Sequence, residues 1–260
     1  FSHLRRKGTA IRSMVRFLVI AVSGFLLNTT VLALWLTLTP WPDLIGLLFS
    51  IAIVPALSNL LIATTNTSKL LEIREILSDV PFRINSLEDY TALAEPEENG
   101  STFAENARKK ALYYAHATKT LAVADDSGLE IDALGGRPGV RSSRYHGDTY
   151  SKRFDNLYKE LETLHGTRGS TARFVCSVAL VWQGHVIFTA DGTVEGKVSP
   201  IPTGTGGFGY DPLFYYPPLD VTLAELTSEQ KMAISHRGKA FRALRTYLHK
   251  VDKKSLISIS

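Results

Sequence analysis

From Phe17 to Leu38 the chain runs for 22 residues without a charged side chain. As a helix such a run is about 33 Å long at roughly 1.5 Å per residue, which matches a bilayer hydrocarbon core of about 30 Å. Thr39-Pro-Trp-Pro-Asp43 follows as a tight polar turn with an interfacial Trp41, and Leu44 to about Ser58 forms a second uncharged stretch interrupted by Pro55. The pattern predicts a transmembrane helical hairpin over residues 17–58. It divides the chain into a membrane segment, residues 1–59, and a globular domain, residues 60–260. A secretory signal peptide fits less well, because the apolar run exceeds the usual length and no small-residue cleavage site stands out. Arg5, Arg6, Lys7, Arg12 and Arg16 all precede the first span, so the positive-inside tendency places the N-terminus in the cytoplasm. Two crossings return the chain there, and the globular domain is expected in the cytoplasm, tethered to the cytoplasmic membrane.

The same basic cluster accounts for the formal net charge of +4. Asp43 is the single acid in the first sixty residues, and in the remainder bases and acids cancel. No basic nucleic-acid-binding surface is therefore expected, although the pI lies near 9.1. Cys176 is the sole cysteine, so no intrachain disulfide forms. Its place in the apolar run Phe174-Val-Cys-Ser-Val-Ala-Leu-Val181 marks it as a small buried residue rather than a catalytic thiol.

After residue 60 the pattern alternates. Leu60-Leu-Ile-Ala-Thr64 has the composition of a central strand, and Ser68 to Leu77 carries Leu70, Leu71, Ile73, Ile76 and Leu77 at helical spacing. Thr102-x-x-Glu105 is a capping-box pattern that opens a helix to about Thr118, with Phe103, Ala107, Ala111 and Tyr114 or Ala115 on one face. Leu121 to Ala124 is a short strand ending at Asp125-Asp126, and Phe154 to Leu164 has a helical pattern. Arg173–Trp182 and His185–Val194, joined by Gln183-Gly184, form a predicted β-hairpin. A second capping box, Thr227-x-x-Gln230, opens a C-terminal helical region with a break near Ser235. The class is α/β with a mixed sheet.

Asp125-Asp-Ser-Gly128 is the first candidate for chemistry. Two adjacent carboxylates cannot both enter one core, so at least one is expected to be exposed, suited to a hard divalent ion or to a water awaiting deprotonation. A solvated turn is the plain alternative. Glu97-Glu98-Asn99-Gly100 and Glu105 sit near a helix start, either as complements to its dipole or with Glu97 completing a metal site beside Asp126. Thr64-Thr-Asn-Thr-Ser-Lys69 links strand to helix and offers hydroxyls, amides and a lysine to phosphate oxygens, without the glycines of a Walker loop. Gly204-Thr-Gly-Gly-Phe-Gly209 matches G-x-G-x-x-G in letters only: prolines precede it and Tyr210-Asp-Pro212 follows, where a dinucleotide fingerprint needs a strand and a helix. A flexible loop whose Phe208 and Tyr210 close on a planar base suits it better. Ser235-His236-Arg237, shortly after Lys231, offers donors to a carbonyl oxygen or a phosphate.

Taken in order, these motifs resemble the family of inosine triphosphate pyrophosphatases over about residues 60 to 250. The residues that carry the resemblance are Ala63-Thr-Thr-Asn-Thr-Ser-Lys69, Glu97-Glu-Asn-Gly-Ser-Thr-Phe-Ala-Glu-Asn-Ala107, Ala124-Asp-Asp-Ser-Gly-Leu129, Gly204-Thr-Gly-Gly-Phe-Gly-Tyr-Asp-Pro212 and Ser235-His-Arg237. The resemblance implies an elongated mixed sheet in two lobes around a cleft, usually in a homodimer, and hydrolysis of ITP, dITP or XTP to the monophosphate and pyrophosphate. It makes Asp126 the catalytic carboxylate, which activates water and with Glu97 holds magnesium. Thr64, Thr65, Asn66, Thr67, Ser68, Lys69 and Ser127 would hold the triphosphate. Phe208, Gly209, Tyr210, Asp211, Lys231, His236 and Arg237 would enclose the base and read its keto oxygen. One position departs from the family pattern: the first loop commonly reads Thr-Gly-Asn, and Thr65 stands in place of the glycine. Residues 15 to 28 are also similar to the first helix of GtrA-like membrane proteins, which implies a second possibility: a membrane protein aiding lipid-linked sugar transfer, with a nucleotide-binding regulatory module.

Overall fold

The computed structural model describes residues 59–90, 93–164 and 169–251. They belong to the second of the two units into which the chain divides, Ala56–Ser260. The membrane hairpin expected over residues 17–58 lies outside the described residues. Among the described residues no helix is long and apolar enough to cross a membrane.

One mixed sheet organises this unit. Its strands are β1 (Asn59–Ile62), β2 (Arg83–Ser86), β3 (Leu121–Ile131), β4 (Thr171–Trp182), β5 (His185–Val198), β6 (Phe214–Tyr216) and β7 (Val221–Thr222), in the spatial order β2-β1-β3-β4-β5-β6-β7. β1 pairs in parallel with β2 and β3, and from β3 onward every pairing is antiparallel. The α/β class and the mixed sheet are as expected. The β4–β5 hairpin turns on Gln183 and Gly184, both with positive φ (47° and 81°), the conformation a two-residue turn needs to match strand twist.

The helices are α1 (Thr67–Ile76), α2 (Phe103–Thr118), α3 (Tyr150–Thr163), α4 (Ser228–Ile234) and α5 (His236–Lys250). Thr102 caps α2 by accepting from the Glu105 amide at 3.1 Å, while the Glu105 carboxylate accepts from the Ser101 amide at 2.7 Å, one residue earlier than the predicted box. Phe103, Ala107, Ala111 and Tyr114 are the buried face. Ala107, Ala111 and Tyr114 pack with Leu61, Ala63, Ala122, Ala124, Ala179 and Val181 of the sheet, where small side chains let the helix approach closely. A second core gathers Leu157 and Leu161 of α3 against Leu129, Phe174, Val194 and Phe214. Helix α3 starts four residues before its predicted start, because Thr149 accepts from the Lys152 amide and caps it. At the C-terminus both halves of the Thr227–Gln230 box form. Ser235 ends α4 and caps α5, its hydroxyl accepting from the Gly238 amide at 3.0 Å.

Helix α5 lies directly on β5 at Gly192. A Cβ there would run into the carbonyl oxygen of His236 and meet the Ala240 amide nitrogen at 2.8 Å. Gly192→Ala is therefore expected to lift α5 from the sheet at a cost of about 1 to 3 kcal/mol. Thermal unfolding checks this, and a midpoint equal to that of the parent chain would show that the helix has room to spare.

Candidate functional site

The aspartate pair is where expectation and structure differ most. The apolar strand was expected to end before Asp125, but β3 continues to Ile131, paired with β4 from Ala122↔Val181 to Ile131↔Ala172. The expectation that one carboxylate is exposed also fails: Asp125 is 2 % exposed and Asp126 is 6 %. Both corrections have one cause. Successive side chains of a strand point to opposite faces, so the two acids share no core, and each finds its own polar partners without breaking the strand.

Asp125 faces α1 and α5. Its Oδ2 accepts from Lys69 Nζ at 3.0 Å, and the Arg237 guanidinium approaches to 3.6 Å. Burial alone would raise its pKa, but Lys69, Arg237 and Lys110 outweigh that and hold the carboxyl well below the usual range. Asp126 faces α2. Its oxygens accept from Asn106 Nδ2 and from the Ser127 amide, each at 2.9 Å, and among the described residues it forms no ion pair. There burial prevails over the Asn106 hydrogen bond, and the pKa is raised. Neighbouring acids with their titrations pushed apart is how one site holds a fixed charge beside a proton acceptor.

Asp126 and Ser127 open onto a cavity of about 580 Å³, the size of a small-molecule site. On one side stands the loop after β1, with Thr64, Thr65 and Asn66, and then Lys69 in the first turn of α1. Asn66 also caps α1, its Oδ1 accepting from the Lys69 amide at 3.0 Å. Thr67 and Ser68 do not line the cavity; both are exposed, because the helix begins at Thr67 and turns them away. Thr65 does not adopt positive φ, so the residue in place of the glycine carries no backbone strain. Glu97 is exposed at the wall, its Oε2 accepting from Asn99 Nδ2 at 3.2 Å.

The other end is a buried charge network. Lys231 Nζ lies 2.7 Å from Asp211 and 3.1 Å from Glu72, and Arg237 donates to Glu72 at 2.6 Å and to Ser127 Oγ at 3.1 Å. The Phe208 ring lies under Lys231 Nζ at 4.2 Å. Gly209 follows it on the wall. Tyr210 lines the cavity too, but as a strut rather than a closing ring: it is 4 % exposed, and its hydroxyl donates to the Ser142 carbonyl at 2.9 Å. The glycine loop is followed by a 3-10 turn at Asp211–Leu213 and then β6, so the helix of a dinucleotide fingerprint is absent there. His236 is buried and stacked on Phe174 with centroids 4.8 Å apart. Burial and the neighbouring cations push its pKa well below 6.5, which leaves the imidazole neutral near pH 7, and its Nδ1 has no partner among the described residues.

Lys110, Glu72, Arg144 and Tyr150 belong to this site without having been anticipated. Lys110, on the apolar face of α2, donates to the Asp125 carbonyl at 3.0 Å and pairs with Glu98 at 2.7 Å. A lysine at helical spacing from Phe103, Ala107 and Tyr114 was the available signal. Glu72 holds Lys231 and Arg237 from 159 and 165 residues away, where no local pattern operates. Arg144 and Tyr150 line the mouth.

A cavity lined by Lys69, Lys110, Arg144, Lys231 and Arg237, with a buried acid and an aromatic ring on its wall, suits a phosphate-bearing ligand with a planar head. The chain belongs to the Ham1 family, whose model matches residues 60–247. It is 46% identical over 194 residues to a dITP/XTP pyrophosphatase of Geobacter sulfurreducens, covering 74% of this chain and 97% of that protein. A dITP/XTP pyrophosphatase of Thermus thermophilus is 46% identical over 185 residues, covering 70% and 88%. Among solved structures, a HAM1 protein from Coxiella burnetii is 40% identical with a TM-score of 0.70, covering 74% of this chain and 99% of that one. The Staphylococcus aureus Ham1 protein is 36% identical with a TM-score of 0.66, covering 73% and 97%.

Proposed function

We propose that this chain hydrolyses ITP, dITP and XTP to the monophosphate and pyrophosphate, clearing purine nucleotides with non-standard bases from the cytoplasmic pool. The observation that carries this reading is the division between adjacent acids: Asp125 is committed to Lys69 and Arg237, whereas Asp126 forms no ion pair among the described residues and faces the cavity with a raised pKa. Asp126 takes a proton from water as its oxygen bonds the α-phosphorus, and the bond from that phosphorus to the bridging oxygen breaks, releasing pyrophosphate. Thr64, Thr65, Asn66, Lys69 and Lys110 hold the phosphates. Lys231, His236 and Arg237 face the base. A keto oxygen there accepts from these donors, while the amino group of adenine would set donor against donor in a buried site.

Magnesium belongs to the same proposal. Asp126 and Glu97 present hard oxygen donors to the cavity. That suits an ion held by one or two carboxylates, with substrate and water as its remaining ligands. Bound there, the ion would neutralise charge on the phosphate oxygens. The homodimer implied by the family resemblance is part of the reading as well.

The test is the full chain with ITP and magnesium, followed for products. IMP and pyrophosphate are expected in equal amounts, with ATP and GTP turned over far more slowly. Orthophosphate as product, or ITP binding without turnover as a regulatory module would show, defeats the proposal.

A further inference from the structure

The charges around the cavity are unevenly compensated. Lys69 is held by Asp125, Lys110 by Glu98, Lys231 by Asp211 and Glu72, and Arg237 by Glu72 and Asp125. Arg144 is the cavity cation that forms no carboxylate pair among the described residues. Its one hydrogen bond there is from Nη2 to the Glu98 carbonyl at 3.3 Å, a long contact, and the residue is exposed at the mouth. A paired cation shares its charge with its acid, whereas an unmatched guanidinium offers its full charge and a planar fork of donors.

Its position assigns the part of the ligand. Glu98 joins Arg144 to the acid centre: the Glu98 carbonyl accepts from Arg144, its carboxylate holds Lys110 at 2.7 Å, and Lys110 donates to the Asp125 carbonyl. Arg144 therefore adjoins the Lys110 side of the acid centre, on the exposed wall of the cavity. We infer that Arg144 is the ligand of the terminal two phosphates and of the pyrophosphate that leaves. Its guanidinium donates to the departing oxygen, on which charge gathers as the bond to the α-phosphorus breaks. This inference rests on the pyrophosphatase reading and extends it to the leaving group.

The experiment compares the full chain with Arg144→Gln and Arg144→Lys, measuring KM for ITP, inhibition by IMP, and binding of inorganic pyrophosphate by calorimetry, all with magnesium. For Arg144→Gln, KM for ITP and Kd for pyrophosphate are each expected to rise about tenfold or more, the scale of one charge-assisted contact, while the IMP inhibition constant stays within about twofold. Arg144→Lys should recover part of the loss, since it keeps the charge but not the fork. Unchanged pyrophosphate binding, or equal weakening for IMP and pyrophosphate, overturns the inference and leaves the hydrolytic reading standing. A parent chain that releases no pyrophosphate from ITP defeats the reading instead, and the calorimetric comparison still decides the role of Arg144.

Discussion

Asp126→Asn is expected to abolish turnover while leaving the fold and its stability nearly unchanged. A positioned general base contributes about 10²- to 10⁴-fold, so kcat should fall by at least the lower figure, and further if the carboxylate also holds the ion. Stability moves little because two effects oppose. The burial that raises the Asp126 pKa penalises its charged form, and an amide removes that penalty. Against this, the carboxylate accepts from both Asn106 and the Ser127 amide, and an amide has one oxygen for two donors, a loss of about 1 kcal/mol. The thermal midpoint should therefore stay within a few degrees of the parent. An undiminished kcat would place the base elsewhere, and a collapsed midpoint would make Asp126 a structural acid.

Asp125→Asn, one residue away and chemically the same change, should have the opposite signature. Here the lost charge is the partner of Lys69 and Arg237, and Arg237 is 2 % exposed. Removing one member of a buried ion pair costs about 3 to 5 kcal/mol, because the remaining charge is left uncompensated. Glu72 still holds Arg237 and Lys69 is partly solvated, so the lower end of that range is the expected value. For a domain of this size it corresponds to a midpoint lower by about 6 to 12 °C. The pH dependence follows from the depressed pKa. This stabilisation is present above the ordinary aspartate value of 3.8 and is lost as pH falls through the lower folded-state value, so the parent and variant midpoints should converge in acid. A variant as stable as the parent at neutral pH would mean that Lys69 and Arg237 need no acid beneath them.

The two substitutions also mark what local sequence pattern can carry. The hairpin turn, the Thr227–Gln230 box, the break at Ser235 and the buried face of α2 each depend on residues within one turn of helix or one reversal of strand, and all were legible in advance. The extent of β3 was not, because two aspartates in a row have the composition of a strand end. Only pairing with a strand some fifty residues on, and cations from α1 and α5, make a buried passage tolerable. Glu72 is illegible locally for the same reason, its partners lying 159 and 165 residues away. Thr67 and Ser68 stand exposed in the first turn of α1, where the helix start takes them off the cavity wall. Tyr210 lines the cavity with its hydroxyl donated to the Ser142 carbonyl, a partner 68 residues away that no local pattern shows.

The opposite facing of Asp125 and Asp126 has an implication for what this domain tolerates in evolution. Slipping β3 by one residue against its neighbours would exchange the two acids, presenting the cation-bound Asp125 to the cavity and turning Asp126 toward lysine and arginine. The alignment that prevents this is shared with β4, where Asp126 stands opposite Ser177, and β4 in turn is locked to β5 by the two-residue reversal at Gln183-Gly184. That reversal lies six residues beyond Ser177, about 20 Å at roughly 3.3 Å per residue. The facing of the two acids thus rests on the long pairing of β3 with β4, from Ala122 to Ile131, rather than on any contact with a ligand.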